Sequence, residues 1–147
     1  MSRFQAALVR ASLLWLVATA LLGVVFQVWP GVAGLWRTTH VHMGVLGFFL
    51  SMVTGVAYWM MPRPGGLRQE GWEAVTFTLL HGGLLLRVIA EPQWRRTFAP
   101  AWQWASTTSG MLLLAAVLSF AIAMHARVVN ADTLRRLRVR REGAAKR

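Results

Sequence analysis

Four long apolar blocks dominate the chain, separated by short polar or proline-marked breaks. The first runs from about Ala7 to Trp29 and stops at Pro30. The second runs from about Thr38 to Met61 and stops at Pro62. The third runs from about Trp72 to Ala90, ahead of Glu91-Pro92, and the fourth from about Trp104 to Ala126. Each is close to the roughly 20 apolar residues that a helix needs to cross a bilayer. Pro62-Arg63-Pro64-Gly65-Gly66 is a turn by composition. Inside lipid the backbone must satisfy its own polar groups, so the pattern predicts an all-α, integral membrane four-helix bundle over residues 1–126. A basic tail follows over 127–147.

Charge orients these spans. Arg3, Arg10, Arg63, Arg68, Arg127, Arg135, Arg136, Arg138, Arg140, Arg141, Lys146 and Arg147 fall on one side of a four-span chain. The other side holds Arg37, Arg95 and Arg96, with Arg87 near that end of the third span. The positive-inside rule then places both termini in the cytoplasm, with the chain in a bacterial inner membrane. Trp29, Trp36, Trp94, Trp102 and Trp104 fall at the outer interface and Trp59 and Trp72 at the inner one, an aromatic-belt pattern. The tail either lies on anionic headgroups as a frayed helix or serves only to set topology.

Composition narrows the classes further. Of 147 residues, 56% are hydrophobic and 14% charged, well below the charged share of soluble domains. So short a soluble chain could not hide that much apolar surface, whereas a bilayer can. With no cysteine, disulfides, iron–sulfur clusters and thiolate sites are excluded. The first block is too long for a signal-peptide core, so it is expected to be retained. The net charge of +11 reads as orientation and lipid contact, and no nucleic-acid partner is expected.

The candidate chemistry lies in the histidines: His40, His42, His81 and His125. Ionisable groups inside a membrane are rare and usually functional. His40 and His42 are expected to open the second helix. Residues two apart are about 200° apart around a helix, so one metal ion cannot easily take both from one regular helix. The pair suits two different ligands, or one ligand each from neighbouring subunits. On the His40 face run Gly44, Gly47, Ser51 and Gly55, a strip that admits a flat macrocycle or a close helix. On the His42 face run Leu46, Phe49 and Val53, an apolar wall. A haem, another metal, or polar caps over plain glycine packing all remain open from the residues alone.

The segment His40-Val41-His42-Met43-Gly44-Val45-Leu46-Gly47, with Gly55-Val56-Ala57-Tyr58-Trp59-Met60-Met61-Pro62-Arg63, resembles a helix of the large catalytic subunit of haem–copper oxidases and nitric oxide reductases. The resemblance implies a fold equivalent to one four-helix arc of that subunit. It also implies haem b, with His40 and His42 as axial ligands of the iron and His81 as a substitute. In that family an Arg-Arg pair in an outer loop holds the haem propionates, which implies such a role for Arg95 and Arg96. Arg37 and Arg87 could reach a propionate as well, since guanidinium suits carboxylates. Gly44 and Gly47 would then border the macrocycle. The chain departs from the family in length and lacks an evident histidine set for the second active-site metal. A complete oxidase is therefore not expected.

The resulting expectation is a bis-histidine, low-spin b-type cytochrome for electron transfer or haem- or gas-related redox function. Quinol or respiratory electron-transfer proteins are the expected partners. The haem could be shared between subunits of a homo-oligomer, a trimer favoured and a dimer allowed. The alternatives are a haem-free accessory or assembly subunit of a larger oxidase or reductase, and a small metal or haem carrier. His81 reads either as an axial ligand or as a buried side chain bonded to a neighbouring helix. His125 reads as interfacial, and Thr107, Thr108 and Ser109 as bonded within the bundle.

Overall fold

The computed structural model describes residues 1–61, 69–125, 127, 128 and 143. Among the described residues it is all-helical, with four helices long and apolar enough to cross a membrane: α1 (Arg3–Val28), α2 (Pro30–Met60), α3 (Glu70–Thr97) and α4 (Pro100–His125). The turn expected at 62–66 and nearly all of the basic tail lie outside the described residues.

Local chemistry sets the helix ends. Ser2 caps α1: its Oγ accepts from the Gln5 N–H, while its own N–H donates to Gln5 Oε1 at 2.9 Å. Such a reciprocal box satisfies two of the otherwise unpaired amides of a first turn. Pro30 does end α1, but it also starts α2 as its first residue, a position where the missing N–H costs nothing. The single residue Trp29 links the two helices. The second helix therefore begins eight residues earlier than expected from Thr38. His40 and His42 lie three turns inside it rather than at its start.

The third helix also overruns its expected end. It passes through Glu91 and Pro92, both buried, and continues to Thr97. Arg95 and Arg96 thus occupy its last turn, not a loop. Only Phe98 and Ala99 remain to join α4. Phe98 makes the turn in the left-handed region (φ 55°), its N–H donating to the Trp94 carbonyl.

Packing is unequal around the molecule. Helix α1 lies along the whole of α2, and α3 forms a close hairpin with α4, where Gly83 admits Leu112 and Leu113. The α2–α3 contact joins the two hairpins, and α4 leans chiefly on α3. The arrangement is an open arc rather than a closed ring. Its core holds Leu8, Tyr58, Leu80, Leu84 and Leu113, and its outward faces expose Leu14, Val45, Phe49, Leu85 and Met111.

Within α2, residues Met43–Leu50 are wound as π-helix. The wider turn follows directly on His42, and Gly47 within it packs on Trp15 of α1. A Cβ on Gly47 would stand 2.7 Å from Trp15 Cγ, and one on Gly55 2.9 Å from Val9 Cγ2. The small-residue strip is thus filled by a helix of the same chain, one of its two expected uses.

Candidate functional site

A buried carboxylate organises the end of the molecule away from the termini. Glu91, 2% exposed, sits on α3 with Arg87 one turn before it and Arg95 one turn after. Arg87 Nε donates to Glu91 Oε2 at 3.3 Å and Arg95 Nη2 to Oε1 at 3.4 Å. From α2, Thr39 Oγ1 donates to Oε2 at 3.3 Å, and Thr38 Oγ1 accepts from Arg95 Nη2 at 2.7 Å. Arg87 also reaches the Ser106 carbonyl of α4 at 3.4 Å. Two guanidiniums around one carboxylate leave a net positive charge. Arg95 Nε adds a buried N–H with no hydrogen-bond partner.

His42 borders this cluster. Its Nδ1 lies 2.8 Å from the Thr38 carbonyl and 4.0 Å from Glu91 Oε2. A carbonyl can only accept, so Nδ1 carries the hydrogen, and in the neutral ring Nε2 is the nitrogen with the lone pair. Metal-ligating histidines are held in this way, with one nitrogen tethered and the other free to bind. The His42 side chain is one-quarter exposed, at the rim of the helix pair.

His40 turns the other way. Its ring packs against α1, 5.2 Å from the Phe26 ring and beside Gly23. Its Nδ1 and the nearby Thr19 Oγ1 are both buried without a partner. The opposed directions expected of His40 and His42 are observed: one faces α1 and the other α3. Among the described residues no third histidine, aspartate or glutamate joins them in a metal-binding group.

His81, midway along α3, has both nitrogens engaged. Nδ1 lies 3.1 Å from the Phe77 carbonyl and Nε2 3.3 Å from Ser51 Oγ, with the ring stacked on Phe77 at 4.5 Å. It is a buried side chain bonded to a neighbouring helix, the second of its two readings. Beside it an apolar groove of about 550 Å³ opens between α1 and α3, lined by Leu14, Trp15, Ala18, Phe77 and Leu85.

The remaining candidates are scattered. Arg37 and Arg96 are exposed at the same end as His42. Gly44 and Gly47 face α1, touching Thr19 and Trp15. Ser109 donates to the Gly83 carbonyl between α4 and α3, whereas Thr107 bonds only within its own helix. The structure thus gathers His42, Arg87 and Arg95 and leaves His40 and His81 apart from them.

Sequence reasoning missed a second cluster, at the end that carries the termini. Glu73, 2% exposed, accepts from Ser2 Oγ and from Gln5 Nε2 at 2.6 Å, and Arg127 Nη2 lies 3.9 Å away. Arg127 Nη1 donates to the Tyr58 carbonyl at 2.9 Å and Nε to Gln69 at 3.0 Å. Its guanidinium also covers the Tyr58 ring at 5.0 Å. Arg127 was expected to belong to the basic tail, lying on anionic headgroups or setting topology; it is buried because four helix ends converge on it. The signal in the sequence was Glu73 itself, an acid without a nearby base on its own helix.

Thr39, Glu91 and the bonds joining them were equally absent from the expected site. A lone acid before a proline reads as a helix end, and only the arginines four residues to each side hint that it is buried. No protein-family model matches the chain, and no curated protein and no solved structure is significantly similar to it.

Proposed function

We propose that this chain is a membrane cytochrome-like protein that holds b-type haem through His42. One observation carries the reading: the His42 ring is tethered through Nδ1–H to a backbone carbonyl and backed by Glu91, leaving Nε2 for iron. The surrounding charge suits the same group. The Glu91 cluster retains net positive charge and an unpaired Arg95 N–H, and Arg37 and Arg96 stand exposed nearby, so a propionate has several cationic partners. The resemblance of α2 to the haem–copper oxidase helix supports the same assignment, as does the open, arc-like packing.

The second axial imidazole comes from another copy, because among the described residues no histidine of the same chain stands beside His42. His40 of a neighbouring copy is the candidate, and it would have to turn out of its packing against Phe26 and Gly23 of its own α1 to reach the haem. A haem held there would supply one-electron transfer. The chain's part is to orient the imidazole through Thr38, to balance the propionates through its arginines, and to exclude water. In this reading the periplasmic side of the bacterial inner membrane carries the cofactor, and quinol or a respiratory protein supplies the electrons.

A haem-free accessory subunit is the competing reading. It is favoured by the α1 contacts that fill the Gly44–Gly47 strip and by the carboxylate that already engages Arg87 and Arg95.

Purified full-length protein, expressed with ample haem, should give a sharp reduced-minus-oxidised alpha band. His42→Ala should abolish it, and His81→Ala should leave it in place. Co-expressed His40→Ala and His42→Ala chains should recover part of the signal, because mixed assemblies contain intact pairs. Colourless wild-type protein, or haem indifferent to His42→Ala, overturns the proposal.

A further inference from the structure

Charge at the end away from the termini is poorly answered. The chain has five acidic residues: Glu70, Glu73, Glu91, Asp132 and Glu142. Of these only Glu91 belongs to the helix ends remote from the termini. It stands against Arg37, Arg87, Arg95 and Arg96, four arginines to one glutamate, so that end carries a net charge of +3. Helix α3 has 28 residues and is about 42 Å long, roughly 10 Å more than the hydrocarbon core of a bilayer. Its last turn, with Arg95 and Arg96, therefore reaches headgroup depth. Trp29 and Trp104, both exposed, mark the same level with interfacial aromatics.

A pocket of about 280 Å³ opens there between the start of α2 and the end of α3. Gly34 and Leu35 form one wall, Trp94 and Phe98 the other, and Arg95 joins them. Arg95 is held in place, because Nη2 donates to Thr38 Oγ1 at 2.7 Å and to Glu91 Oε1 at 3.4 Å. Its Nη1 is accessible and, among the described residues, makes no hydrogen bond. A guanidinium fixed in this way loses little freedom when it gains an anion. Phe98 is 76% exposed and holds a left-handed backbone, φ 55°, which is rare for a bulky side chain. Strain of this kind gathers at ligand clamps. Here it keeps an aromatic ring on the pocket wall. Opposite it, Gly34 leaves room: a Cβ there would meet nothing within 4 Å.

We propose that this pocket binds the phosphate of one anionic phospholipid, of the phosphatidylglycerol type. The phosphate oxygens accept from Arg95 Nη1, and the exposed Arg37 and Arg96 add charge around them. The glycerol lies against Leu35, Trp94 and Phe98, and the acyl chains stay in the bilayer. Free phosphate would use only the cationic half of this surface. A zwitterionic headgroup would bring an ammonium to an end that is already positive. The volume suits one headgroup, hence one lipid. The inference goes beyond the haem reading and needs neither His42 nor iron.

The test is native mass spectrometry of the full-length protein released from detergent. Phosphatidylglycerol, phosphatidylcholine with the same chains, or inorganic phosphate is added at equal concentration. Wild type and His42→Ala should each retain one phosphatidylglycerol, and severalfold less phosphatidylcholine. Inorganic phosphate should not displace the lipid. Gly34→Leu fills the pocket from an open position and should lower retention severalfold. Gly31→Leu, equally open but outside the pocket lining, should leave it unchanged. Should Gly34→Leu fail to fold, Arg95→Gln, which removes the free N–H, takes its place. Retention that neither pocket variant lowers overturns the proposal, as does equal retention of the two lipids. Displacement by inorganic phosphate overturns the lipid assignment.

Discussion

Gly47 and Gly82 are both helical glycines of the membrane region, yet they stand in opposite surroundings. A methyl group on Gly47 would meet Trp15 and Leu84 at 2.7 and 2.8 Å, while one on Gly82 would meet nothing within 4 Å. Gly47→Ala should therefore cost about 1–3 kcal/mol by overpacking the α1–α2 seam. Gly82→Ala should be neutral or stabilising by up to about 1 kcal/mol through helix propensity. Thermal unfolding in one detergent, with the two variants side by side, checks both signs. The small strip on α2 was legible in the sequence because glycines at helical spacing have few other uses. What filled it was not legible, since Trp15 lies in a block that reads as uniformly greasy. Arg127 was misread for a related reason: a cation beside a run of cations looks solvated until a buried acid is brought to it.

At the scale of the helix, boundaries were harder to read than spans. Prolines were taken as stops, and both outcomes occur. Pro30 ends one helix by starting the next, whereas Pro92 is carried inside α3. A proline within a helix leaves the carbonyl four residues earlier without its amide, a loss that neighbouring helices in a membrane can absorb. Glu91 shows what the continuation achieves. It holds Arg87 and Arg95 on successive turns and draws Thr39 from α2 to the same point. Removing the carboxylate in Glu91→Ala would leave two guanidiniums around a half-buried gap. The expected loss is about 3 kcal/mol, read as a lower unfolding midpoint. Glu91→Gln should lose less, because it keeps one acceptor oxygen. The π-wound stretch Met43–Leu50 had no sequence signature, because a 3.6-residue period was assumed throughout. Even so, the opposed directions of His40 and His42 survived, since the widening begins one residue after the pair.

Across the whole molecule, the two ends differ in kind. One end brings together the start of α1, the end of α2 and the start of α3 around Glu73 and Arg127, the latter two residues past the end of α4. Arg127→Ala should destabilise the fold by about 3 kcal/mol, and adding Glu73→Gln to it should recover part of that loss. A double-mutant cycle on unfolding free energy measures the coupling. The side on which this end lies was read from charge alone. Reporter fusions after residue 1 and after residue 128 should both score as cytoplasmic, and a fusion in the Phe98–Ala99 turn as periplasmic. Four spans, their order and the convergence of both chain ends on one side follow from block lengths and arginine placement. The open arc does not, because lipid-facing and partner-facing apolar residues are chemically alike.

The position of Arg127 in the chain also orders events during biogenesis. Glu73 is made with the start of α3, but the cation that answers it is translated only after α4 has been made. Until then the carboxylate has only Ser2 and Gln5 for company. A chain stalled before residue 127 would hold Glu73 by hydroxyl and amide partners but no cation, so the meeting of the four helix ends is completed only once the start of the tail is made.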